Sequence, residues 1–446
     1  MESLMSKWQY SDVRFFCKRE DVSMNLRTTT NYIALIGFGV ALLIIVWNGH
    51  TQAEGLLTTM EENETLSKEN FQNWLDELRD DARAAGISDT TLDAALSDIK
   101  LATRVIERDR SQFEFIKTFW TYLGKCATDE RIKRGRELLA EHRILLDKIY
   151  AQFHVPPRYI VALWGVETSF GANLGNFSVI DALVNLAYDQ RRSSFFRSQL
   201  IDALKIIDNG HIGANEMKGS WAGAMGQMQF MPSTFLKHAI DFTGDGRKDI
   251  WRSLPDAFSS AANYLSNIGW HSGQLWGREV LLPDDFDLML ATISTKKTVS
   301  AWSALGVRRA NGNALPRVNM QGSILLPQGH KGPAFLVYDN FRVILEWNRS
   351  INYAICVGYL ADRLVGLPKI ANGKNADHEP LSHFEIKEIQ WQLNFLGFEA
   401  GPVDGFLGPK TKAAVRSFQA EHSLPTDGYP TIELLHFLRT QLSDFL

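Results

Sequence analysis

The chain has 446 residues, with 47 basic and 51 acidic side chains and a formal net charge of -4 at pH 7. This length exceeds that of one ordinary compact core, so we expect two folded units and additional segments. The two charge signs are nearly balanced and neither forms a long run, which argues against a nucleic-acid-binding surface.

An uncharged apolar run, YIALIGFGVALLIIVW, occupies residues 32–47 and follows Arg27. It is slightly shorter than the ~20 residues that a membrane-spanning helix needs, and the segment TQA at 51–53 suits a small-residue cleavage site. The run therefore predicts either the hydrophobic region of a signal peptide or an inner-membrane anchor. Both interpretations place the rest of the chain in the periplasm. The third interpretation of the run is a buried core helix.

Residues 1–31 have two interpretations. Translation that begins at Met24 would give a compact signal n-region and would leave residues 1–23 upstream of the true start. Otherwise residues 1–31 form a cytosolic tail, whose Lys and Arg side chains hold the N-terminus inside the cell by the positive-inside bias.

The first folded domain is predicted over residues 67–366, after a polar and acidic linker at 54–66. Apolar residues recur at helical spacing up to about residue 270. Short β-like runs separated by Gly, Pro and Asn then occupy about 275–345. We therefore expect a mainly α domain with a small β-containing lobe. Residues 367–382 lack periodicity and read as a second linker.

Three cysteines are present, Cys17, Cys126 and Cys356, and no two of them form a CxxC pair. This count supports neither a thiolate metal site nor a dense disulfide framework. If Cys17 stays in the cytoplasm, Cys126 and Cys356 are free to pair in an oxidising compartment. Buried free thiols are the alternative.

A single helix is predicted over residues 156–171, PPRYIVALWGVETSFG, because prolines suit its first turn and a glycine suits its end. Glu167 lies on the same stripe of this helix as three large apolar residues, Ile160, Leu163 and Trp164. Desolvation disfavours a carboxylate there, so the acid is able to donate a proton to a leaving oxygen, as glycosidic cleavage requires. The alternative is a Glu that pairs with an arginine or caps a buried amide.

A second segment, GSWAGAMGQMQFMPSTF at 219–235, mixes small residues with glutamines. Small residues let a bulky ligand approach the backbone, while Gln227 and Gln229 supply amide donors and acceptors. This mixture suits sugar binding. The alternative is close packing of the chain against itself.

Four fragments together resemble the lytic murein transglycosylase B family of lysozyme-like enzymes, over about residues 70–366. They are ETSFG (167–171), GAMGQMQFMPSTF (223–235), DFTGDGRKDIW (241–251) and ANYL (262–265). The resemblance implies a lysozyme-like helical catalytic domain in which Glu167 is the sole catalytic acid and, later, the base. It also implies six substrate-binding residues, Ser220, Gln229, Tyr264, Tyr353, Arg191 and Arg192. A solvated arginine pair is the alternative for Arg191 and Arg192.

The resemblance implies cleavage of the MurNAc-GlcNAc β-1,4 bond of peptidoglycan with formation of 1,6-anhydromuramoyl ends. Ordinary glycosidases need two carboxylates, and the second acid we considered, Asp181, could equally act as a helix cap. One acid suffices if the substrate's N-acetyl group stabilises the anomeric centre and the muramoyl 6-hydroxyl then attacks. Two other functions remain open: a hydrolytic muramidase or chitinase on the same scaffold, and a catalytically silent wall scaffold.

An EF-hand-like loop fragment begins at residue 241, and the family resemblance also implies a metal there. Its predicted ligands are Asp241, Thr243, Asp245, the backbone carbonyl of Arg247, and Asp256. Arg252 stands where the bidentate Glu of such a loop belongs. We predict a structural Ca²⁺ or Na⁺ with no part in the chemistry, and the alternative is a hydrogen-bonded Asx turn.

Residues 383–446 resemble a three-helix peptidoglycan-binding domain, on the fragment VDGFLGPKTKAAVRSFQ. Its glycines suit the turn between helices, and Thr411 suits the start of the next helix, so the motif chiefly indicates fold. A tethered wall-binding module raises the effective concentration of substrate. The expected partners are peptidoglycan glycan strands, with the apolar run as a membrane tether.

Overall fold

The computed structural model of this protein describes residues 70–99, 118–189, 192–371, 373 and 380–443. The described residues divide into two compact units, one up to Leu92 and one from Asp93 onward. Three predicted segments, at 1–31, 32–47 and 54–66, lie outside the described residues. Within the described part, none of the helices has the length and apolar character needed to cross a membrane.

The smaller unit contains helix α1, residues 70–84, and the start of helix α2, Asp89–Leu96. One face of α1 is buried at helical spacing, through Phe71, Leu75, Leu78 and Ala82. This face agrees with the apolar residues at helical spacing that were predicted for this part of the chain.

Eight helices lie in the described residues between 118 and 267. They are α3 (Phe119–Cys126), α4 (Asp129–Glu141), α5 (Arg143–Phe153), α6 (Pro157–Thr168), α7 (Val179–Tyr188), α8 (Ser193–Asp208), α9 (Pro232–His238) and α10 (Leu254–Asn267). Between them, the short strands β1 (Phe177–Ser178) and β2 (Lys218–Gly219) pair antiparallel.

An antiparallel sheet of five strands forms the small lobe, in the order β4-β6-β7-β3-β5. Its strands are β3 (Gly277–Leu281), β4 (Lys297–Thr298), β5 (Arg308–Arg309), β6 (Gln321–Leu325) and β7 (Ala334–Val337). Helix α11 (Val299–Ala304) places Trp302 in the core of this lobe, where its indole N–H donates to the carbonyl of Gly322 at 2.8 Å. The indole is therefore both buried and hydrogen-bonded, as a buried tryptophan requires.

Two helices return the chain from the lobe to the helical body, α12 (Asp339–Trp347) and α13 (Ile351–Leu364). They complete the surroundings of α6, which contacts α4, α5, α10 and α13. Because neighbours cover it on all sides, every residue of α6 from Tyr159 to Thr168 is buried. The helix that carries Glu167 is thus the centre of the domain.

A disulfide joins Cys126, at the end of α3, to Cys356 in α13, with Cα atoms 6.3 Å apart. This separation lies in the usual range for a disulfide. The structure thus pairs the two cysteines, which is the first of the two alternatives expected from the sequence.

The C-terminal module consists of α14 (His383–Phe395), α15 (Pro409–Glu421) and α16 (Ile432–Ser443). Ser382 and Glu385 form a capping box at the start of α14. Their helix contributes Ile386, Ile389 and Leu393 to a core shared with the other two helices. The side-chain amide of Gln390 donates to Asp404 Oδ1, to the carbonyl of Phe406 and to Thr411 Oγ1. These bonds join the interhelix segment to α14, so the motif serves to stabilise the fold of the module.

The predicted fold class is confirmed: helices dominate, one small sheet forms a lobe, and a three-helix module follows. The sheet lies within the stretch at about 275–345 where the short β-like runs were expected.

Candidate active site

Helix α6 brings Glu167 to the centre of the domain. Pro157 occupies its first turn, as predicted, and the helix ends when Ser169 adopts a left-handed conformation. Glu167 lies in the last turn, only 4% exposed. The helix end therefore presents a buried carboxyl group rather than a solvated one.

The turn after the acid is backbone-strained. Ser169 and Phe170 have φ of 52° and 60°, values that side-chain-bearing residues rarely adopt, and Gly171 follows with φ of 81°. The Phe170 ring folds back on α6, where a Cβ at Gly165 would lie 2.7 Å from it. This packing offsets the strain, of about 1–3 kcal/mol per residue, and holds the turn beside Glu167.

Two side chains from other helices donate hydrogen bonds to one oxygen of the acid. The Tyr353 hydroxyl in α13 donates to Glu167 Oε1, and the Trp347 indole N–H donates to the same atom at 3.0 Å. Burial penalises the charged carboxylate, whereas these two bonds stabilise it. The acid is thus held in one orientation by uncharged donors.

A second tyrosine lies near the acid. Burial, and then the charge of Glu167, raise the pKa of Tyr122 in α3 far above its usual range, while Arg131 opposes that rise. Burial and Glu167 likewise raise the pKa of Tyr353 well above its usual value, and Tyr122 adds to the effect. Both tyrosines therefore stay protonated and keep their hydroxyl donors.

An aromatic group connects Tyr264 with the acid. The Trp347 ring lies 5.1 Å from that of Tyr264 and 5.4 Å from that of Phe230. The Tyr264 hydroxyl donates to the carbonyl of Glu346 at 3.3 Å. Tyr264 and Tyr353, predicted to frame a cleft, are thus both linked to Glu167, one through Trp347 and one directly.

The glycines of the 219–235 segment serve close packing. A Cβ at Gly219 would lie 2.2 Å from the carbonyl oxygen of Ala224, and one at Gly226 would lie 2.6 Å from that of Ile250. These neighbours are atoms of the chain itself. The close-packing alternative therefore accounts for both glycines.

Ser220 and Gln229 lie in this segment and hold it in shape. Ser220 Oγ accepts hydrogen bonds from the amide of Ala224 at 3.0 Å and from that of Ala222 at 3.3 Å. Gln229 has φ of 50°, and its side-chain amide donates to the carbonyls of Leu174 and Gly226. Their contact with substrate stays a prediction.

Gln227 fastens the segment to the helix of the acid. Its Oε1 accepts from the indole N–H of Trp164 at 2.8 Å, and its carbonyl accepts from the Thr168 hydroxyl at 2.9 Å. Thr168 directly follows Glu167. The two motifs of the resemblance, at 167–171 and 223–235, are therefore joined in space by hydrogen bonds.

Of the predicted arginine pair, Arg191 lies outside the described residues. Arg192 precedes α8, with its guanidinium 5.0 Å from the centre of the Phe196 ring. Its role toward a glycan stays a prediction.

Asp181 lies in the first turn of α7, where its backbone amide donates to Ser178 Oγ at 3.2 Å. Burial raises the pKa of its carboxyl, although the hydrogen bond to Ser178 and the charge of Lys218 oppose this. Within the described residues Asp181 makes no hydrogen bond to Glu167, so its helix-start position matches the alternative to a catalytic role.

The predicted metal loop is closed by its own backbone. Asp241 accepts from the amides of Gly244 and Gly246 at 2.6 and 2.8 Å, and Thr243 Oγ1 donates to it at 3.2 Å. Asp245 Oδ1 accepts from the amide of Arg247 at 2.9 Å.

Asp256 is the buried carboxyl of the loop. It also accepts hydrogen bonds from backbone amides, those of Phe242 and Asp249. Across the described residues, no three His, Cys, Asp or Glu side chains group closely enough to hold a metal ion. The loop thus has the hydrogen bonds of an Asx turn.

Sequence reasoning missed Trp347 and Tyr122. Trp347 is 180 residues from Glu167 along the chain, at the end of an unremarkable amphipathic helix. Tyr122 lies in a short helix without a recognisable motif. Only the packing of α3, α12 and α13 around α6 brings these two residues close to Glu167, so no sequence pattern could identify them.

Comparison with known proteins finds two matching family models. The family model of the Transglycosylase SLT domain matches residues 70–362, and that of a peptidoglycan binding domain matches residues 382–438. The membrane-bound lytic murein transglycosylase B of Escherichia coli (strain K12) is 32% identical over 248 residues, which are 54% of this chain and 65% of that protein. The aligned part thus spans less than two thirds of that relative.

Solved structures extend the likeness. SltB3 from Pseudomonas aeruginosa, in complex with NAG-anhNAM-pentapeptide, is 44% identical with a TM-score of 0.80, over 83% of this chain and 99% of that one. The Escherichia coli lytic transglycosylase Slt35, in complex with calcium, is 28% identical with a TM-score of 0.56, over 66% of this chain and 92% of that one. The family match covers more than half of the sequence, and the chain belongs to the transglycosylase SLT domain family, with a lysozyme-like catalytic fold and a C-terminal peptidoglycan binding domain.

Proposed function

We propose that this protein is a lytic transglycosylase that cleaves the MurNAc-GlcNAc β-1,4 bond of peptidoglycan and leaves 1,6-anhydromuramoyl ends. The observation that carries the proposal is the buried Glu167, held by Tyr353 and Trp347 at the centre of a transglycosylase domain. The relative SltB3 was solved with NAG-anhNAM-pentapeptide and with NAG-NAM-pentapeptide, which are peptidoglycan fragments of this kind.

Glu167 acts twice in the proposed reaction. It first gives its proton to the glycosidic oxygen as the bond to the anomeric carbon breaks, and the substrate's N-acetyl group stabilises that carbon. The carboxylate then accepts the proton of the muramoyl 6-hydroxyl as that oxygen bonds to the anomeric carbon. Water is not consumed, and the acid is restored to its protonated form.

The two hydrogen-bond donors to Oε1 support the role of Glu167 first as the acid and then as the base. Their hydrogen bonds stabilise the carboxylate that exists between the two steps. A hydrogen bond from a preorganised donor in a buried site costs no reorganisation when the charge forms.

Glu167→Gln tests the proposal, because the amide keeps the shape of the side chain but has no proton to donate. We expect release of muropeptides from purified sacculi to fall by at least about 10³-fold, with an unchanged melting temperature. Mass spectrometry of the wild-type digest should show anhydro ends. Free reducing ends would instead identify a hydrolytic muramidase, and a wild type that releases no muropeptides would identify a catalytically silent scaffold.

We also propose that the protein acts outside the cytoplasm, where peptidoglycan lies, and that the apolar run at 32–47 directs its export. The family of wall-acting relatives supports the location. Fusion of alkaline phosphatase after residue 66 should give active phosphatase, whereas deletion of residues 32–47 should abolish it.

The structural cation at the loop 241–256 remains our proposal, supported by the relative Slt35, which was solved in complex with calcium. Binding would require Asp241 and Asp245 to exchange their backbone hydrogen bonds for the ion. A melting temperature that rises with millimolar Ca²⁺, and does not rise in Asp245→Asn, is the expected result. An unchanged melting temperature of the wild type would favour the Asx turn.

A further inference from the structure

The disulfide between Cys126 and Cys356 lies directly behind the active site. Cys126 ends α3 and is 6% exposed, and Cys356 lies in the second turn of α13 and is fully buried. The cross-link therefore ties a short helix of eight residues to a long helix at the centre of the domain.

Each cysteine shares a helix face with a tyrosine of the site. Tyr122 precedes Cys126 by four residues in α3, and Tyr353 precedes Cys356 by three residues in α13. Residues at these spacings lie one helical turn apart on the same face. The cross-link thus fixes α3 and α13 within one turn of the two tyrosines.

Both tyrosines interact with Glu167, but they are held differently. Tyr353 is fully buried and donates to Glu167 Oε1. Tyr122 is half-buried, interacts electrostatically with Glu167, and has no hydrogen-bond partner for its hydroxyl within the described residues. The position of Tyr122 therefore depends on how α3 is fastened.

Arg131 fastens the same end of α3. Its guanidinium donates to the carbonyls of Cys126 and Lys125 and, at 3.3 Å, to Ser169 Oγ. Ser169 lies two residues beyond Glu167, in the strained turn. The disulfide thus links α3 to α13, which carries Tyr353. Arg131 links α3 to the turn that follows Glu167.

We propose that the Cys126–Cys356 disulfide is a positioning element of the active site, which holds α3 so that Tyr122 and Tyr353 keep their places around Glu167. The inference deepens the proposed glycan cleavage and rests on it. Full activity would then be reached only where the disulfide forms, in an oxidising compartment. Neither cysteine touches substrate in this role.

Reduction of the folded enzyme tests the proposal without a mutation. Dithiothreitol supplies two electrons and two protons, the S–S bond opens to two thiols, and the reagent becomes its cyclic disulfide. Alkylation and mass spectrometry would verify the state of Cys126 and Cys356. The readouts are kcat, KM and the pH dependence of kcat on soluble glycan chains, at a temperature well below the melting temperature of the reduced enzyme.

We expect reduction to lower kcat by about ten- to one-hundredfold, because a small misplacement of catalytic neighbours has that effect. The alkaline limb of the pH profile, where Glu167 loses its proton, should shift upward as the hydrogen bond from Tyr353 weakens. Cys126→Ala/Cys356→Ala should show the same kcat with and without dithiothreitol, which controls for effects of the reagent elsewhere.

A lower melting temperature with unchanged kcat and pH profile would overturn the proposal, since the disulfide would then only stabilise the fold. Labelling of both thiols in enzyme that is denatured without a reductant would overturn it as well. An oxidised wild type that releases no anhydromuropeptides contradicts the proposed function itself, and is thereby distinguished from a failure of the positioning role.

Discussion

Glu167 depends on partners that are far from it in the sequence. The helical pattern predicted that this acid is buried, and the structure confirms it. The pattern placed it on a stripe of apolar neighbours, but the atoms that contact its carboxyl are the hydroxyl of Tyr353 and the indole N–H of Trp347. Its setting is therefore a polar network inside an apolar domain.

The carboxyl of Asp362 leads to a prediction about how the stability of the fold depends on pH. This buried carboxyl in α13 accepts a hydrogen bond from the Trp276 indole at 2.9 Å. Burial raises its pKa from 3.8 to about 6, against the opposing effects of that bond and of Arg158 and Arg278. As the pH rises from about 4 to 6 the unfolded chain loses this proton first, so the folded state loses stability across that window.

Asp362→Asn should remove this loss. The free energy of unfolding of the variant minus that of the wild type should increase by about 2 kcal/mol between pH 4 and pH 7, at ~1.4 kcal/mol per pKa unit. Urea unfolding at both pH values measures it. A difference that is equal at the two pH values would show that Asp362 is ionised in the fold at pH 4.

Helix α13 is fixed in place by close packing as well as by the disulfide. Gly358 lies under the ring of Trp276, where an added Cβ would come within 2.3 Å of the indole. The indole in turn packs on Phe335 of the lobe. This glycine therefore sets the distance between α13 and the β-containing lobe.

Gly358→Ala should lower the free energy of unfolding by about 1–3 kcal/mol, because the indole must move in a close-packed core. Gly124→Ala is the matched control, since Gly124 also lies in a helix but a Cβ there meets nothing within 4 Å. The control should be stabilised by about 0.5–1 kcal/mol. Equal effects of the two substitutions in thermal melts would contradict the proposed contact.

At the scale of the whole molecule, the C-terminal module is docked on the lobe. His330 contacts Asp427 through its backbone amide at 2.9 Å and its ring nitrogen at 2.6 Å. Arg416 donates to the carbonyl of Ala291 at 2.9 Å. Specific hydrogen bonds across this boundary hold the module in one orientation.

Truncation after residue 380 should separate wall binding from catalysis. We expect the rate on insoluble sacculi to fall by about a hundredfold at low enzyme concentration, because the tethered second contact is lost. The rate on soluble glycan chains is the internal control and should stay within about threefold of the wild type. Equal losses on both substrates would mean that the module supports the catalytic fold instead.

The sequence alone determined the mainly helical class, the helix that carries Glu167, the burial of that acid and the separate C-terminal helices. These features follow from local periodicity, from proline and glycine at helix ends, and from short motifs, which all act within a few residues. These features were therefore predictable from the amino-acid sequence of this one chain.

Only the tertiary structure decided which side chains meet at the acid. Trp347, Tyr122 and the disulfide come from helices whose packing around α6 depends on many small contacts distributed over the domain. Such contacts join residues separated by more than 180 positions, as Tyr353 and Glu167 are. No local pattern specifies them, because each partner would look the same in a helix that packed elsewhere.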